Sequence, residues 1–332
     1  MTRTHAPRIA LNRRHFLAAT GAALAAPSVA RAQGFRDLAA DHADRLHSIV
    51  VRRDDEEIFA QSWGGRGLDG IANVKSVSKT LMALLTGIAI DRGVIEGTDA
   101  RVLPLLGRPE TGDARDDLTI DHLLTMRTGL ESVSGGNYGA WVASGNWVDT
   151  ALEQDLVGTP GGRFIYSTGG WHVLGALLSQ VTGQNLLSLT RDWLGAPMGI
   201  DFAPWVQDPQ GRYLGGNDMA LSPRGLARIG QMAVDDGQWQ DKTVVSEGWL
   251  DTSWEPRTRS PFSGDQYGYG WFLTRMDGAD TAYARGYGGQ MLAVIPSRRM
   301  VIAITSDPSQ PARSEGYFGD LRQLAEAIAA EV

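Results

Sequence analysis

The chain has 332 residues, 42% of them hydrophobic and 21% charged, which is enough apolar mass to bury a sizeable core as one large domain or two intergrown lobes. A formal net charge of −7 argues against a nucleic-acid partner, because phosphate binding needs a basic surface. No cysteine is present, which removes disulfides, thiolate metal sites, thiol catalysis and a lipoprotein anchor together.

The first elements concern targeting. Asn12-Arg13-Arg14-His15-Phe16-Leu17 is a twin-arginine pattern, an alanine-rich apolar run follows from Leu17 to Val29, and Ala30-Arg31-Ala32 is a small-x-small cleavage site. The expectation is a signal peptide over residues 1–32, cleaved after Ala32, and a periplasmic protein. The run is too short to span a bilayer, and no other stretch is long and apolar enough, so no stable membrane anchor is expected. Cleavage would remove five arginines and no acids, leaving the mature chain more acidic still.

Phe35 to Leu46 reads as a short helix. His47-Ser48-Ile49-Val50-Val51 and Ile58-Phe59-Ala60 read as strands of a hairpin, with Arg53 to Glu57 as its polar turn. From Ser76 the pattern turns helical: Leu81, Leu84, Leu85 and Ile88 recur at helix spacing, and Asp91-Arg92-Gly93 ends the run. The middle of the chain holds short helices and glycine loops, with one helix starting in Leu118–Leu124 and another over Trp171–Thr182. Strand character returns with the alternating Tyr267–Leu273, then with the apolar runs Met291–Ile295 and Met300–Ile304 around the turn Pro296-Ser297-Arg298-Arg299. An amphipathic helix carrying Leu321, Leu324 and Ile328 closes the chain. The predicted fold is α/β (α+β): an antiparallel sheet built from both chain ends, flanked by helices, with an inserted all-helical lobe. The corresponding division is a sheet lobe of residues 33–100 and 229–332 and a helical lobe of residues 101–228. Clefts between such lobes are favoured places for sites.

Only three of the 31 basic residues are lysines: Lys75, Lys79 and Lys242. Arginine does the remaining surface work, yet only lysine can give up its proton when desolvated. Lys79 follows Ser76 by three residues at a helix start, so the two share a face and the hydroxyl can meet the amine. The helix N-terminus favours negative charge developing at the serine, and a neutral amine there can activate a weak nucleophile. Ser-x-x-Lys by itself is common, and alone it reads as well as an N-cap serine with a solvated lysine. The long apolar helix that follows carries Lys79 inward and favours the chemical reading.

The run Asn73-Val74-Lys75-Ser76-Val77-Ser78-Lys79-Thr80, with Gly87 to Gly93 after it, resembles the first motif of the class C β-lactamase and penicillin-binding serine hydrolase family. Further likenesses follow in order: Leu118 to Leu130 before the second motif, Phe164-Ile165-Tyr166-Ser167-Thr168-Gly169-Gly170 at the Tyr-x-Asn motif, Gly216 to Arg228 at a later helix start, and Tyr287-Gly288-Gly289-Gln290 where the family has Lys-Thr-Gly or a relative of it. The resemblance implies a β-lactamase/transpeptidase-like fold and an acyl-enzyme on Ser76, with Lys79 and Tyr166 as proton-transfer groups. It implies an oxyanion hole of the Ser76 and Gln290 backbone amides, with Gly288 and Gly289 letting substrate approach closely.

Two departures bear on substrate. Thr168 replaces the family's asparagine, offering one hydroxyl for an acceptor and two donors. Tyr287 replaces the lysine that helps hold a substrate carboxylate; Arg285 is a candidate replacement cation if no bulge at Gly286 turns it away. The resemblance is therefore nearest to the esterase and 6-aminohexanoate-dimer hydrolase branch, and the implied partner is a small ester, amide or peptide-like molecule. A true β-lactamase or D-Ala-D-Ala carboxypeptidase, and a non-catalytic periplasmic binding module, are the alternatives. No cofactor is implied. Six scattered histidines, two of them in the leader, give no metal-binding pattern. No Gly-x-Ser-x-Gly elbow supports a Ser-His-Asp enzyme, although His122 and His172 are candidate bases; His122 at a helix start reads better as a cap. Tyr138, Trp141 and Trp147 read either as an aromatic wall over the site or as lobe packing.

Overall fold

The computed structural model describes residues 31–332, so the leader expected over 1–32 lies almost wholly outside the described residues. Residues 31–39 are helical and bury Phe35 and Ala39. Twelve strands follow in the described chain: β1 (Leu46–Arg53), β2 (Glu56–Ser62), β3 (Ala72–Asn73), β4 (Ala220–Leu221), β5 (Gln238–Trp239), β6 (Lys242–Thr243), β7 (Thr258–Arg259), β8 (Gln266–Tyr267), β9 (Phe272–Met276), β10 (Ala279–Gly286), β11 (Gln290–Ile295) and β12 (Met300–Ser306). The four longest helices with printed bounds are α1 (Ser78–Asp91), α2 (Thr168–Thr182), α3 (Pro223–Val234) and α4 (Tyr317–Ala330).

Eight strands form one antiparallel sheet in the order β2-β1-β12-β11-β10-β9-β8-β7. Its strands come from the early and late parts of the chain, and residues 101–228 add none to it. The central strands β11 and β12 are buried along their whole length, which is why they read as unbroken apolar runs rather than alternating ones. On one face α3 approaches closely: a Cβ on Gly230 would meet Val301 and Leu292. On the other face α4 brings Phe318 against Tyr283, rings stacked at 6.2 Å.

The structure shifts several boundaries. Leu46 belongs to β1, not to the preceding helix. The first hairpin turns on two residues rather than five, because Asp54 and Asp55 adopt the left-handed backbone (φ 48° and 69°) that a tight antiparallel turn demands. Tyr267–Leu273 is two strands, not one: Gly268 to Trp271 turns between β8 and β9, and a Cβ on Gly268 would lie 2.0 Å from the Ser253 carbonyl. Helix α2 starts at Thr168, three residues ahead of the apolar periodicity that announced it.

Helix α1 is buried along nearly its whole length, from Ser78 to Ala89. Gly87 lets the Trp249 indole reach its backbone. A two-residue ladder, β3 with β4, ties the chain just before Ser76 to the loop that ends the helical segment. That ladder and α2 bring the motif residues together.

Candidate functional site

Ser76 lies in a single 3-10 turn, Lys75–Val77, that runs directly into α1. The residue before it, Lys75, has φ 50°, a left-handed backbone that a non-glycine residue adopts only when its surroundings enforce it. Ser78, the other hydroxyl of the motif, is fully buried; it donates to the Lys75 carbonyl at 2.5 Å and accepts from the Met219 amide at 3.0 Å. Ser76 is the half-buried one, and its Oγ lies 3.1 Å from Lys79 Nζ.

Lys79 is 3% exposed. Its ammonium donates to the Gly216 carbonyl at 2.6 Å and reaches Thr168 Oγ1 at 3.5 Å, besides Ser76. Burial pushes its pKa below the ordinary lysine value, opposed by the Tyr166 charge. Tyr166 stands beside it, with Nζ 4.9 Å from the ring centre. Burial alone would raise the Tyr166 phenol, but the Lys79 charge and the Ser76 and Lys79 donors outweigh it, and the phenol lies below its ordinary value.

Thr168, the first residue of α2, is fixed by a serine the sequence reading passed over. Ser134 Oγ accepts from the Thr168 amide at 2.7 Å and bonds its hydroxyl at 3.0 Å. Ser132 donates to the Tyr166 carbonyl at 2.6 Å. Tyr138 is half-buried at the same cleft, where the Asn217 amide donates to its hydroxyl at 3.5 Å. Its neighbours Trp141 and Trp147 are buried and pack edge-on against His172, so they are lobe packing and Tyr138 alone of the three reaches the cleft.

His122 completes a capping box with Thr119. His172 is fully buried; its Nε2 bonds Asp208 at 3.1 Å, and its Nδ1 accepts from the Gly215 amide at 3.4 Å. Both ring nitrogens are therefore taken.

The strand end beside Ser76 differs from the predicted one. Met276 and Ala279 close a two-residue turn, Asp277-Gly278, so β10 bonds toward β9 through its odd-numbered residues and toward β11 through its even-numbered ones. The Asp54 amide bonding to the Arg299 carbonyl, and the Asp307 amide to that of Arg45, give the same alternation when carried across β12 and β11. Gln290 pairs with Gly286, and its N–H therefore faces β10 rather than Ser76. A Cβ on Gly288 would meet Asp307 and Pro308, and one on Gly289 would meet Tyr317 and Leu321, so both glycines serve the hairpin and the α4 packing.

Gly286 is the glycine that lies against the Ser76 turn: a Cβ there would be 2.5 Å from the Val74 carbonyl and 3.1 Å from Lys75 Cβ. Pairing of β10 with β9 stops at Tyr283, which leaves the next outward amides, those of Arg285 and Tyr287, on an open edge. Ala284 and Gly286 thus stand where the motif was sought at Tyr287 to Gln290; glycine-rich hairpins look alike in sequence, and spacing alone did not separate strand end from turn. Tyr287 sits at the corner, 49% exposed. Arg285 is held by other partners: it donates to Ser314 Oγ at 2.9 Å and stacks 3.9 Å over the Phe318 ring, and its charge reaches the cleft only through Tyr166. It is not a replacement cation.

A serine at the start of a buried helix, a desolvated lysine in contact with it, a tyrosine whose phenol is held low, and an open strand edge thus stand together at one cleft. The chain belongs to the Beta-lactamase family, a family of hydrolases, whose match spans residues 32–326. It is 25% identical over 316 residues to the 6-aminohexanoate-dimer hydrolase of Paenarthrobacter ureafaciens, covering 85% of this chain and 79% of that one. Its fold is similar to that of the octameric penicillin-binding protein homologue from Pyrococcus abyssi (TM-score 0.71, 19% identity, 91% of this chain and 77% of that one). It is also similar to that of EstCE1, a hydrolase with promiscuous acyltransferase activity (TM-score 0.74, 17% identity, 91% and 98%).

Proposed function

We propose that the protein is a serine hydrolase that cleaves esters and small linear amides through an acyl-enzyme on Ser76. The observation that carries this reading is the 3.1 Å contact between Ser76 Oγ and the buried Lys79 amine at the head of α1.

The Gly216 carbonyl, 2.6 Å from Nζ, favours the charged form of Lys79 and opposes loss of its proton. Tyr166, whose phenolate the Lys79 charge stabilises, then serves as the base. Its phenolate takes the Ser76 proton as Oγ bonds to the acyl carbon, while Lys79 remains an ammonium that steadies both oxygens. The carbonyl oxygen becomes an oxyanion between the Ser76 and Tyr287 amides, the latter taking the place first given to Gln290. As the carbon–leaving-group bond breaks, the leaving group receives the proton from Tyr166. A water then gives its proton to Tyr166 as its oxygen bonds to the acyl carbon; the carbon–Oγ bond breaks, Oγ takes that proton back from Tyr166, and the acid is released.

Substrate preference follows from the cleft's lack of a free cation among the described residues. Ala284 and Gly286 hold the strand end, Arg285 is turned to α4, and Lys75 is ion-paired to Asp218 at 2.8 Å. Thr168 supports only one hydroxyl contact. A charge-assisted hydrogen bond to a substrate carboxylate is worth about 1.5–3 kcal/mol, so its loss favours uncharged acyl groups by roughly ten- to a hundredfold. The twin-arginine leader supports export, with the reaction in the periplasm.

The test is kcat/KM for p-nitrophenyl acetate, a short ω-amino-acid amide and nitrocefin, with a fluorophosphonate probe on Ser76. Ester turnover with a probe adduct on Ser76 supports the proposal. Efficient nitrocefin cleavage would make the enzyme a β-lactamase, and absence of any adduct would point to a binding module.

A further inference from the structure

Two charged residues beside the site have no part in the mechanism above. Lys75 Nζ lies 2.8 Å from Asp218 Oδ1, and Asn73 Nδ2 donates to the same oxygen at 2.7 Å. Asn73 Oδ1 in turn accepts from the Lys75 amide at 2.9 Å. The pair is largely buried, with side chains 23% and 12% exposed. Lys75 (φ 50°) and Asp218 (φ 65°) both hold left-handed backbone, each one or two residues from a group that contacts Lys79: Ser76 on one side, Gly216 on the other. The Val74 amide bonds the Met219 carbonyl at 3.0 Å, which fastens the two segments just outside the pair. Strained backbone persists only where surrounding contacts over-determine it, and here those contacts are this triad.

We propose that Asp218 is a positioning residue of the site: with Asn73 and Lys75 it clamps the Ser76 turn to the Gly216 loop, and it cancels the Lys75 charge beside the reacting groups. The inference rests on the Ser76 reading given above. A lysine suits the role because a compact ammonium can share one carboxylate oxygen with Asn73, whereas a guanidinium fork favours two. Of the charged and titratable groups around this pair, Lys79 from α1 and Tyr138 from the helical segment feel the Asp218 charge. Tyr166 lies beyond Lys79, and Arg285 from β10 acts on Tyr166 in turn.

The charge balance makes opposite predictions for the two partners. Asp218→Asn keeps the acceptor oxygen and leaves the Lys75 cation unopposed, which stabilises the Tyr166 phenolate and disfavours the Lys79 ammonium. Both limbs of the pH profile then move to lower pH, by about half a unit for a charge roughly 10 Å away in partly solvated protein. Lys75→Met leaves the Asp218 anion unopposed and moves both limbs up. The double variant returns them to the wild-type position, while all three lower kcat severalfold and change KM less.

The experiment measures the rate of Ser76 labelling by a fluorophosphonate, and kcat/KM for p-nitrophenyl acetate, from pH 5 to 10 on the four full-length proteins. Opposite shifts that cancel in the double variant support the clamp. Shifts in one direction, or rate losses with unmoved limbs, overturn it. Absence of Ser76 labelling in the wild type would instead remove the Ser76 reading on which it rests.

Discussion

Replacing Lys79 by methionine tests the core of the mechanism, because the two shapes are similar and only the charge is lost. Lys79 Nζ stands 4.9 Å from the Tyr166 ring centre. A unit charge at that distance in an effective dielectric near 20 is worth about 3 kcal/mol, or roughly two to three pH units on the phenol. The sign is fixed by the role. A phenolate base is present above its pKa and lost as pH falls through it, so removing the cation moves the acidic limb of kcat/KM upward by that amount. At neutral pH the variant should lose about a hundredfold or more, and it should regain part of its activity as pH rises toward 10. The assay is p-nitrophenyl acetate hydrolysis from pH 5 to 11, with melting followed at each pH to confirm that the protein is folded. An equal loss at every pH, with the acidic limb unmoved, would refute the reasoning: Tyr166 would then not titrate under the control of Lys79.

Three further outcomes are expected. Ser76→Ala should abolish turnover and probe labelling while costing about 1 kcal/mol of stability, since the hydroxyl's hydrogen bond is the one it accepts from Lys79 Nζ; an adduct on Ser78 in intact-mass analysis of the wild type would contradict the assignment. Gly286→Ala should lower kcat/KM for p-nitrophenyl acetate by about tenfold and stability by roughly 1–3 kcal/mol, because its methyl group meets the Val74 carbonyl and Lys75; an unchanged rate would show that the strand end does not press on the nucleophile turn. Burial holds the His172 pKa below its unfolded value of about 6.5, so the unfolded chain binds the proton more readily and stability falls as pH drops below that value. The loss of melting temperature between about pH 6.5 and 4.5 should therefore be smaller in His172→Gln than in the wild type; equal slopes would place the acid sensitivity elsewhere.

The order of the elements was legible because it follows from periodicity. Helix α1 and strands β11 and β12 announce themselves as apolar runs at the correct lengths, and α4 by its spaced leucines. The core of the candidate site was legible for a different reason: Ser76 and Lys79 are three residues apart where a 3-10 turn runs into α1, so local geometry alone joins them. The parts that escaped are non-local. Ser134 fixes Thr168 across 34 residues, and the Gly216 carbonyl reaches Lys79 across 137. A backbone carbonyl leaves no trace in residue identity, and one serine among many gives no signal. Lys75 did leave a trace as one of three lysines, but its partner Asp218 lay in a stretch read only as a helix start.

The misplaced strand end shows what kind of information sequence lacks. Ala284 to Gln290 holds three glycines, and each has its own steric demand: Gly286 toward the Ser76 turn, Gly288 toward the loop after β12, and Gly289 toward α4. Which amide of this stretch stays open is decided by hydrogen-bond parity, counted from the Asp277-Gly278 turn. A shift of one residue exchanges outward and inward amides along the whole strand. The same alternation that opens the Tyr287 amide turns the Arg285 side chain onto Phe318. On the proposed mechanism, the oxyanion amide and the lack of a carboxylate grip among the described residues are thus two consequences of one register. A chain with this register would stabilise an oxyanion without holding an anionic substrate, which is what the proposed hydrolysis of a simple ester requires.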